Sequence, residues 1–293
     1  MISVVVPVYN EENGVVTSIE SVAQELDGFV AYEIIAVNDG SQDRSLERLD
    51  AINLDNFSII NHPENMGYGK SLFDGIMVAK YDCIAIIDAD SSYPASEIKT
   101  LFGYYPEYDM VVGARTGSEY QKGLLKRPAR SMFKYLAEYA TGRKIPDINS
   151  GLRLFRKDLV IDHKDTLCTG FSFTTTITLL FMLNHCYVKY VPIEYLRREG
   201  KSKVNHFKDT LRAGQIIVEA IIYYNPIKLF LLIAIFNVGL GFIAGLVNAL
   251  TVKSNTISIF AALSCASFVP LIAIGLVSDQ IKQIYKTVRG KNL

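Results

Sequence analysis

The sequence predicts an α/β protein with a mostly parallel sheet, followed by a hairpin of two membrane-spanning helices. Apolar, strand-like runs alternate with helical segments over the first 115 residues. Runs that are apolar almost throughout are typical of parallel strands covered on both faces. The hairpin is predicted by two stretches without Asp, Glu, Lys or Arg, at 229–252 and 254–278. Each could cross a hydrocarbon core of ~30 Å as a helix.

The strands and helices of the first part follow from these runs and from their periodicity. Strands are predicted at 2–7, 32–38, 57–61, 82–88 and 109–114. Helices are predicted at 14–28, 43–52, 69–80 and 95–103. In the first helix, Val15, Ile19, Val22 and Leu26 share one face, and Gly28 ends it. Beyond residue 124 the pattern is less regular, with helices at 124–140 and 174–185, a strand at 150–155 and an extended segment at 187–196.

We divide the chain into a soluble domain over 1–203, a juxtamembrane amphipathic helix over 204–225 and a membrane hairpin over 226–293. The two spans are placed at about 229–252 and 256–278. The alternative for the apolar stretches is a pair of buried globular helices, but two uncharged stretches of this length are unusual in soluble cores. The 204–224 segment has apolar residues at helical spacing, so it lies in the membrane interface or packs on the soluble domain.

Composition limits the function classes and the location. The net charge is zero, which gives no sign of a nucleic-acid binder. The four cysteines form no CxxC pair, which favours a reducing cytosol. The N-terminus enters an apolar strand at once, and we expect no signal peptide. Cations flank both ends of the hairpin, so the positive-inside rule places the soluble domain and the C-terminus in the cytoplasm.

Candidate site residues, most of them polar, lie at or directly after the ends of several predicted strands. They are Pro7, Tyr9, Asn10 and Glu11 at the first strand, Asn38 and Asp39 at the second, Asp88 and Asp90 at the fourth, and Arg115 at the fifth. Ligands of such sheets sit beyond the carboxyl ends of the strands. We therefore expect one shared crevice. The alternative is that Asn, Asp and Gly here only form turns and cap helices.

The sequence DAD at 88–90 is a candidate metal site. Hard divalent cations take oxygen ligands, and one or two carboxylates plus substrate phosphates can complete the shell. In a regular strand, alternate side chains could not both point straight at one ion, so we favour Asp90 as the direct ligand and Asp88 as a ligand through water or a sugar contact. Many such pairs are solvated turn carboxylates, and it is the position at a strand end that favours a metal.

The stretch NMGYGKS at 65–71 ends like a phosphate-binding P-loop. The motif requires Gly at the position that Glu64 occupies, so we reject it. A glycine-rich helix start with exposed amides near a diphosphate is retained, and Lys70 is assigned to the donor site. Several further cations flank the predicted crevice and could grip phosphate: Arg115, Arg127, Arg130, Arg198, Lys201 and Lys203.

These motifs, taken in order, resemble a known family. VVPVYNEENG, VNDGSQD, NMGYGKS, DAD with Pro94, GART, DINSGLRLFRK and RREGKSK are similar to segments of the family-two glycosyltransferases. More narrowly, they resemble the polyprenyl-phosphate glycosyltransferases, such as dolichol-phosphate mannose synthase and the GtrB-like enzymes. The resemblance covers nearly the whole chain. It implies a GT-A fold, a UDP- or GDP-linked sugar donor, Mg²⁺ or Mn²⁺, and a membrane polyprenyl phosphate as acceptor.

The resemblance also implies roles for individual residues. Donor-binding positions are Pro7, Tyr9, Glu11, Asp39, Asp88, Arg198, Ser202 and Lys203. Acceptor-phosphate positions are Arg115, Arg127 and Ser131, and metal positions are Asp88 and Asp90. Asp147 matches an acid proposed to act in catalysis in that family. With Asp90 and Arg115, it makes up the set of catalytic candidates. Family members often carry Gln two residues after the second Asp. This chain has Ser92, which implies an additional water ligand or weaker metal binding.

The predicted reaction is a single inverting displacement of the nucleotide by the lipid phosphate. That phosphate is already anionic, so it needs orientation rather than a strong base. A processive polysaccharide synthase is disfavoured because the chain has no Trp and therefore lacks the QxxRW motif. A non-catalytic membrane-anchored nucleotide-sugar binder is a second alternative, and the intact acid pair argues against it. A family-two transferase with another membrane acceptor is a third. A homo-oligomer through the membrane helices is possible.

Overall fold

The protein combines a seven-stranded sheet with a C-terminal set of long apolar helices, as seen in a computed structural model that describes residues 1–117, 127–163, 173–197, 206–252 and 254–290. The chain packs as two compact units, Met1–Ile216 and Ile217–Leu293. The first unit contains the sheet and its helices. The second contains the apolar helices.

The strands follow the predicted runs closely. They are β1 (Ile2–Val8), β2 (Tyr32–Asp39), β3 (Phe57–His62), β4 (Cys83–Ile86), β5 (Met110–Thr116), β6 (Arg153–Arg156) and β7 (Val188–Glu194). The helices of the first unit are α1 (Val15–Leu26), α2 (Ser45–Asp50), α3 (Tyr68–Val78), α4 (Glu97–Phe102), α5 (Arg127–Thr141), α6 (Lys157–Ile161) and α7 (Phe173–Leu183). Helix α8 (His206–Tyr224) leads from the first unit into the second.

The sheet is parallel except for one strand. Its order is β3-β2-β1-β4-β6-β5-β7, and β6 pairs antiparallel with both β4 and β5. The other strands therefore run in one direction, and their carboxyl ends meet at one edge. Because β6 runs the opposite way, the turn at 147–151 that precedes it lies at that same edge.

Both faces of the sheet are covered, as the continuous apolar runs predicted. In β1, Val4 and Val6 belong to the core that includes α1 and α4, whereas Val5 belongs to the core that includes α3 and α7. All three side chains are fully buried. The alternation of side chains along a strand explains how one apolar run serves two cores.

Strand β4 is shorter than predicted. It ends at Ile86, and the chain then bends through a turn in which Ser91 has a positive φ of 56°. Asp88 and Asp90 therefore lie beyond the regular strand. The sequence analysis assumed that their side chains alternate in direction as in a regular strand, and this assumption does not apply to them.

The second unit contains two apolar spans, Pro226–Thr251 and Asn255–Ile284, with mean hydropathies of 2.5 and 2.3. The first consists of α9 (Pro226–Val247) and a short π-helical turn, Asn248–Val252. The second is one apolar span, as predicted, and a single turn at Ser267 divides it into two helical segments. It is α10 (Asn255–Ala266) followed by α11 (Phe268–Gly290). Pro270 lies in the first turn of α11, where its missing N–H does not cost a helical hydrogen bond.

The hairpin is closed by small and polar residues. A Cβ on Gly241 would overlap the Ser264 side chain, so α9 and α10 approach closely there. The Asn248 amide donates to Ser254 O over 2.9 Å and to Ser258 Oγ over 2.8 Å, and its oxygen accepts from Ser254 N. These bonds satisfy backbone groups where the chain turns, which an apolar environment requires.

Candidate active site

The carboxyl edge of the sheet brings most of the described candidate residues together. The loop after β1 is tied to the loop after β2. Asn10 N donates to Ser41 Oγ over 3.0 Å, and Glu11 N donates to Ser45 Oγ over 2.8 Å. Pro7 pairs with Val37 in the sheet register. Pro7 and Glu11 therefore lie beside the end of β2 and the loop that follows it.

Asp39 holds the loop that leads into α3. Its carboxylate accepts from Met66 N over 2.9 Å and from Gly67 N over 2.8 Å. Gly40 follows with a φ of +64°, and a Cβ there would overlap the backbone of Glu64. The prediction of exposed amides at this helix start is wrong for Met66 and Gly67, because the backbone N–H groups of both residues donate to Asp39.

His62, the last residue of β3, extends this network to α3. Its Nδ1 lies 2.8 Å from Asp39 Oδ1, and its Nε2 lies 3.0 Å from Asp74 Oδ2. Lys70 Nζ donates to Asp74 Oδ1 over 2.5 Å. Lys70 lies in the first turn of α3, with its ammonium group on the Asp74 carboxylate. Sequence reasoning missed His62 and Asp74, which have no motif of their own.

Asp88 lies between α3 and the turn before β6. Tyr68 donates its hydroxyl to Asp88 Oδ1 over 2.9 Å. On the other side, a Cβ on Gly151 would overlap the Asp88 carboxylate, so only Gly fits there. Gly151 N in turn donates to the Tyr93 hydroxyl over 2.7 Å. Desolvation and the Asp88 charge raise the pKa of Tyr68 well above its usual value, which keeps the phenol a donor at neutral pH.

Asp90 is buried and is held by the residue that replaces the family glutamine. Ser92 N and Ser92 Oγ both donate to Asp90 Oδ1, over 3.0 and 2.5 Å. The side chain that sequence reasoning treated as a missing metal contact instead fixes the orientation of this carboxylate. Ser92 O also accepts from Leu196 N over 2.9 Å, which joins the turn to the segment after β7.

The oxygen donors of Asp88 and Asp90 fit a hard divalent cation. Two carboxylates cannot fill its shell, and within the described residues no group of three or more His, Cys, Asp or Glu could hold a metal. Diphosphate oxygens and waters would have to supply the rest, as is usual for Mg²⁺. Because residue 151 is a glycine, no side chain at this position covers the Asp88 carboxylate.

Arg115, which is partly buried, and Asp147, which is buried, form a two-point ion pair. Arg115 Nε lies 2.7 Å from Asp147 Oδ2, and Arg115 Nη2 lies 2.9 Å from Asp147 Oδ1. Arg115 N also donates to Oδ2, over 3.2 Å. The guanidinium lies over the Tyr195 ring at 5.5 Å, and Tyr195 packs edge-on against Tyr93. The ion pair and the Asp88 site are thus joined by packed tyrosines that the sequence analysis did not identify.

Asp147 is ionised in this arrangement. Burial alone would raise its pKa, but the Arg115 charge and hydrogen bonds outweigh burial and hold the pKa below its usual range. A carboxylate that accepts from Arg115 on both oxygens is a poor proton acceptor. Its two oxygens fix the orientation of the Arg115 guanidinium.

The remaining predicted residues are only partly described. Arg127 begins α5, and its side chain lies outside the described part. Ser131 is exposed on the same helix. Arg198, Ser202 and Lys203 lie outside the described residues, as do Arg130's side chain and Lys201.

Replacing Arg115 by Met should destabilise the protein most near neutral pH. The substitution leaves a buried carboxylate unpaired, which costs about 3–5 kcal/mol when the partner is removed. In the native protein the depressed pKa contributes stability above the unfolded value, and this is lost as pH falls through the folded value. In Arg115→Met the buried Asp147 can protonate and the penalty shrinks. The difference in melting temperature between the variant and the native protein should be smaller at about pH 4 than at about pH 7. A difference that is larger at about pH 4 would contradict the assignment.

Two family models match the chain. Glycosyl transferase family 2 matches residues 3–163, and the GtrB C-terminal hairpin matches residues 225–284. The second match agrees with the two apolar spans, and the protein is a membrane protein of this hairpin type. The predicted membrane hairpin is confirmed.

Two curated relatives share the sequence over long stretches. The low-salt glycan biosynthesis hexosyltransferase Agl6 of Haloferax volcanii is 29% identical over 217 residues, which are 72% of this chain and 51% of that protein. The chain thus spans about half of that relative. An undecaprenyl-phosphate 4-deoxy-4-formamido-L-arabinose transferase of Proteus mirabilis is 26% identical and aligns over 99% of this chain and 91% of its own length.

Solved structures show the same fold. Glucosyl-3-phosphoglycerate synthase from Mycobacterium tuberculosis, in complex with Mn²⁺, UDP-glucose and phosphoglyceric acid, aligns with a TM-score of 0.60 at 17% identity. The alignment covers 75% of this chain and 79% of that one. The same enzyme with Mg²⁺ and UDP aligns equally well. The predicted GT-A-like fold is confirmed, and by the match over residues 3–163 the chain belongs to glycosyl transferase family 2.

Proposed function

We propose that this glycosyltransferase moves a sugar from a UDP- or GDP-linked donor to a membrane polyprenyl phosphate, with inversion at the anomeric carbon. The observation that carries the proposal is the meeting of two features at one sheet edge. A carboxylate site at Asp88 lies beside a positioned cation, Arg115, and packed tyrosines connect them. The matched hairpin and the Proteus relative support a lipid acceptor.

The donor would occupy the edge formed by the ends of β1, β2 and β4. Pro7, Tyr9, Glu11 and Asp39 would line the nucleoside side, with Lys70 near the start of α3. Asp88 and Asp90 would hold Mg²⁺ or Mn²⁺ against the diphosphate. A divalent ion there supplies Lewis-acid stabilisation of charge on the departing nucleotide. Tyr68 and Ser92 orient the two carboxylates through the bonds they donate.

The acceptor phosphate would approach Arg115, with Arg127 and Ser131 on α5 as further contacts. Two phosphates repel each other unless cations neutralise the incoming one. Arg115 is held in place by Asp147, so the guanidinium does not have to be ordered when the acceptor binds. The nucleophile is anionic already, and no residue has to remove a proton from it. Asp147 acts by positioning Arg115.

The membrane segments would keep the active site at the lipid phosphate. We place the catalytic domain and the C-terminal tail in the cytoplasm, on the basis of the flanking cations. Arg198, Ser202 and Lys203, in the basic segment before α8, would close over the donor. A homo-oligomer through the membrane helices is compatible with this arrangement.

The first test is transfer itself. Purified protein with an extracted polyprenyl phosphate, Mg²⁺ or Mn²⁺ and radiolabelled UDP-glucose, UDP-N-acetylglucosamine or GDP-mannose should give a labelled lipid monophosphate sugar. Asp90→Asn should lower kcat by about 10²-fold or more, because one carboxylate of the metal site is lost. Asp162→Asn, an acid on the surface after α6, is the matched control and should keep full activity. Normal turnover in excess chelator would contradict the proposal.

Gly151→Ala should lower activity while the fold persists. The added methyl group would overlap the Asp88 carboxylate and displace it. We expect kcat to fall by about 10-fold to 100-fold, as displacements near 1 Å can cause. Gly103→Ala is the control, because a Cβ there meets nothing closer than Thr100 O at 3.4 Å. Native activity in Gly151→Ala would show that the Asp88 position is not critical.

Deleting 226–293 should separate donor binding from lipid transfer. The shortened chain keeps the sheet edge and should bind a nucleotide sugar with near-native affinity, measured by calorimetry. Transfer to a long-chain polyprenyl phosphate in vesicles should fall, because the domain is no longer held at the membrane surface. Unchanged transfer in vesicles would exclude this role of the hairpin.

A further inference from the structure

Arg153 is a fully buried cation that the proposed chemistry does not use. It is the first residue of β6, and its exposed fraction is 0%. Its Nε and Nη2 donate to Ser150 O over 3.1 and 2.6 Å, and Nη2 also donates to Ile148 O over 3.4 Å. Its Nη1 donates to Thr174 O and to Thr178 Oγ1, each over 3.0 Å. The guanidinium is thus surrounded by neutral oxygens.

This burial is unusual because no carboxylate in the described part of the chain pairs with Arg153. A buried ion costs several kcal/mol of desolvation, and neutral acceptors return only part of that. Burial lowers the pKa of the guanidinium, yet an arginine side chain stays protonated in proteins. A Met or Leu at this core position would avoid the cost. We therefore attribute the presence of an arginine here to the oxygen atoms that its five N–H groups bind.

Most of those N–H groups hold one turn. Ile148 O and Ser150 O belong to the segment between Asp147 and Gly151, and they accept three of the five bonds. The other two bonds go to the first turns of α7, a helix in the core. Arg153 therefore fixes the turn at 147–151 to a rigid element behind it.

The two ends of that turn carry the two halves of the site. At one end, Asp147 holds the Arg115 guanidinium at 2.7 Å. At the other, Gly151 lies against the Asp88 carboxylate and donates to Tyr93. A change in the path of this short turn would alter the distance between the cation that meets the acceptor and the carboxylate that meets the donor.

We propose that Arg153 is a positioning residue for glycosyl transfer, which sets the spacing between the Arg115–Asp147 pair and Asp88 by holding the carbonyl groups of the 147–151 turn. This role rests on the proposed function. Arg153 touches no reacting group, so it acts through the turn. Its flat, five-donor fork suits several carbonyls at once, whereas a lysine ammonium has three donors on one atom.

The test compares Arg153→Lys and Arg153→Gln with Thr178→Val. The control removes the hydroxyl of α7 that accepts from Arg153 but leaves the bonds to the turn. For both Arg153 variants we expect kcat to fall by about 10-fold to 100-fold, and donor affinity by less than about 5-fold. Donor affinity is measured by calorimetry without acceptor. The base side of the site lies at the ends of β1 and β2, which Arg153 does not contact. Thr178→Val should keep kcat within about 3-fold.

Hydrogen exchange gives a readout that does not depend on activity. Peptides that cover 147–151 should exchange faster in both Arg153 variants, while peptides of β1 and β2 should not change. If the native protein transfers no sugar but this local change in exchange is seen, the proposed function fails and the tie to the turn stands. Both kcat values and exchange rates are normalised to the folded fraction, which is measured by circular dichroism.

Three outcomes would overturn the proposal. The first is native kcat in Arg153→Lys together with native exchange of the turn. The second is an equal loss of kcat in Thr178→Val, which would assign the effect to α7. The third is failure of both Arg153 variants to fold at any temperature tested, which would make Arg153 a residue of global stability.

Discussion

The site depends on the reversal of a single strand. If β6 ran parallel to its neighbours, the turn before it would lie at the opposite edge of the sheet. Because it runs antiparallel between β4 and β5, the turn at 147–151 meets the carboxyl ends of both. Asp147 then reaches Arg115 at the end of β5, and Gly151 reaches Asp88 beyond β4. The Arg115–Asp147 ion pair and the Asp88 carboxylate are joined through this turn.

A second connection runs from Asp39, at the end of β2, to Asp88, beyond β4. Asp39 accepts from the amides of Met66 and Gly67, and the next residue, Tyr68, donates to Asp88. Each carboxylate here is held by donors of the chain itself. Such preorganisation lowers the reorganisation needed when a charged ligand arrives, which is where electrostatic catalysis gains most.

Residues at strand ends could be predicted because parallel strands must end together. Asp39, Asp88, Asp90 and Arg115 were identified in this way, and the structure brings them to one edge. The partners of these residues could not be predicted. Tyr68 and Gly151 lie in motifs that the sequence analysis quoted, but nothing in either motif says that they meet at Asp88. Ser92 looked like a lost ligand, and its bonds to Asp90 depend on a turn that the strand pattern did not show.

By itself, the sequence determined the layers, the strand limits within a few residues and the apolar hairpin, because these follow from local hydrophobic patterns and length. Only the tertiary structure decided which charges pair. Arg115 was assigned to a phosphate and Asp147 to catalysis, and the fold places each on the other. It also decided that Arg153, one cation among many in the sequence, is buried behind the site. The physical reason is that pairing and desolvation depend on distances between segments far apart in the chain, and no local pattern carries those distances.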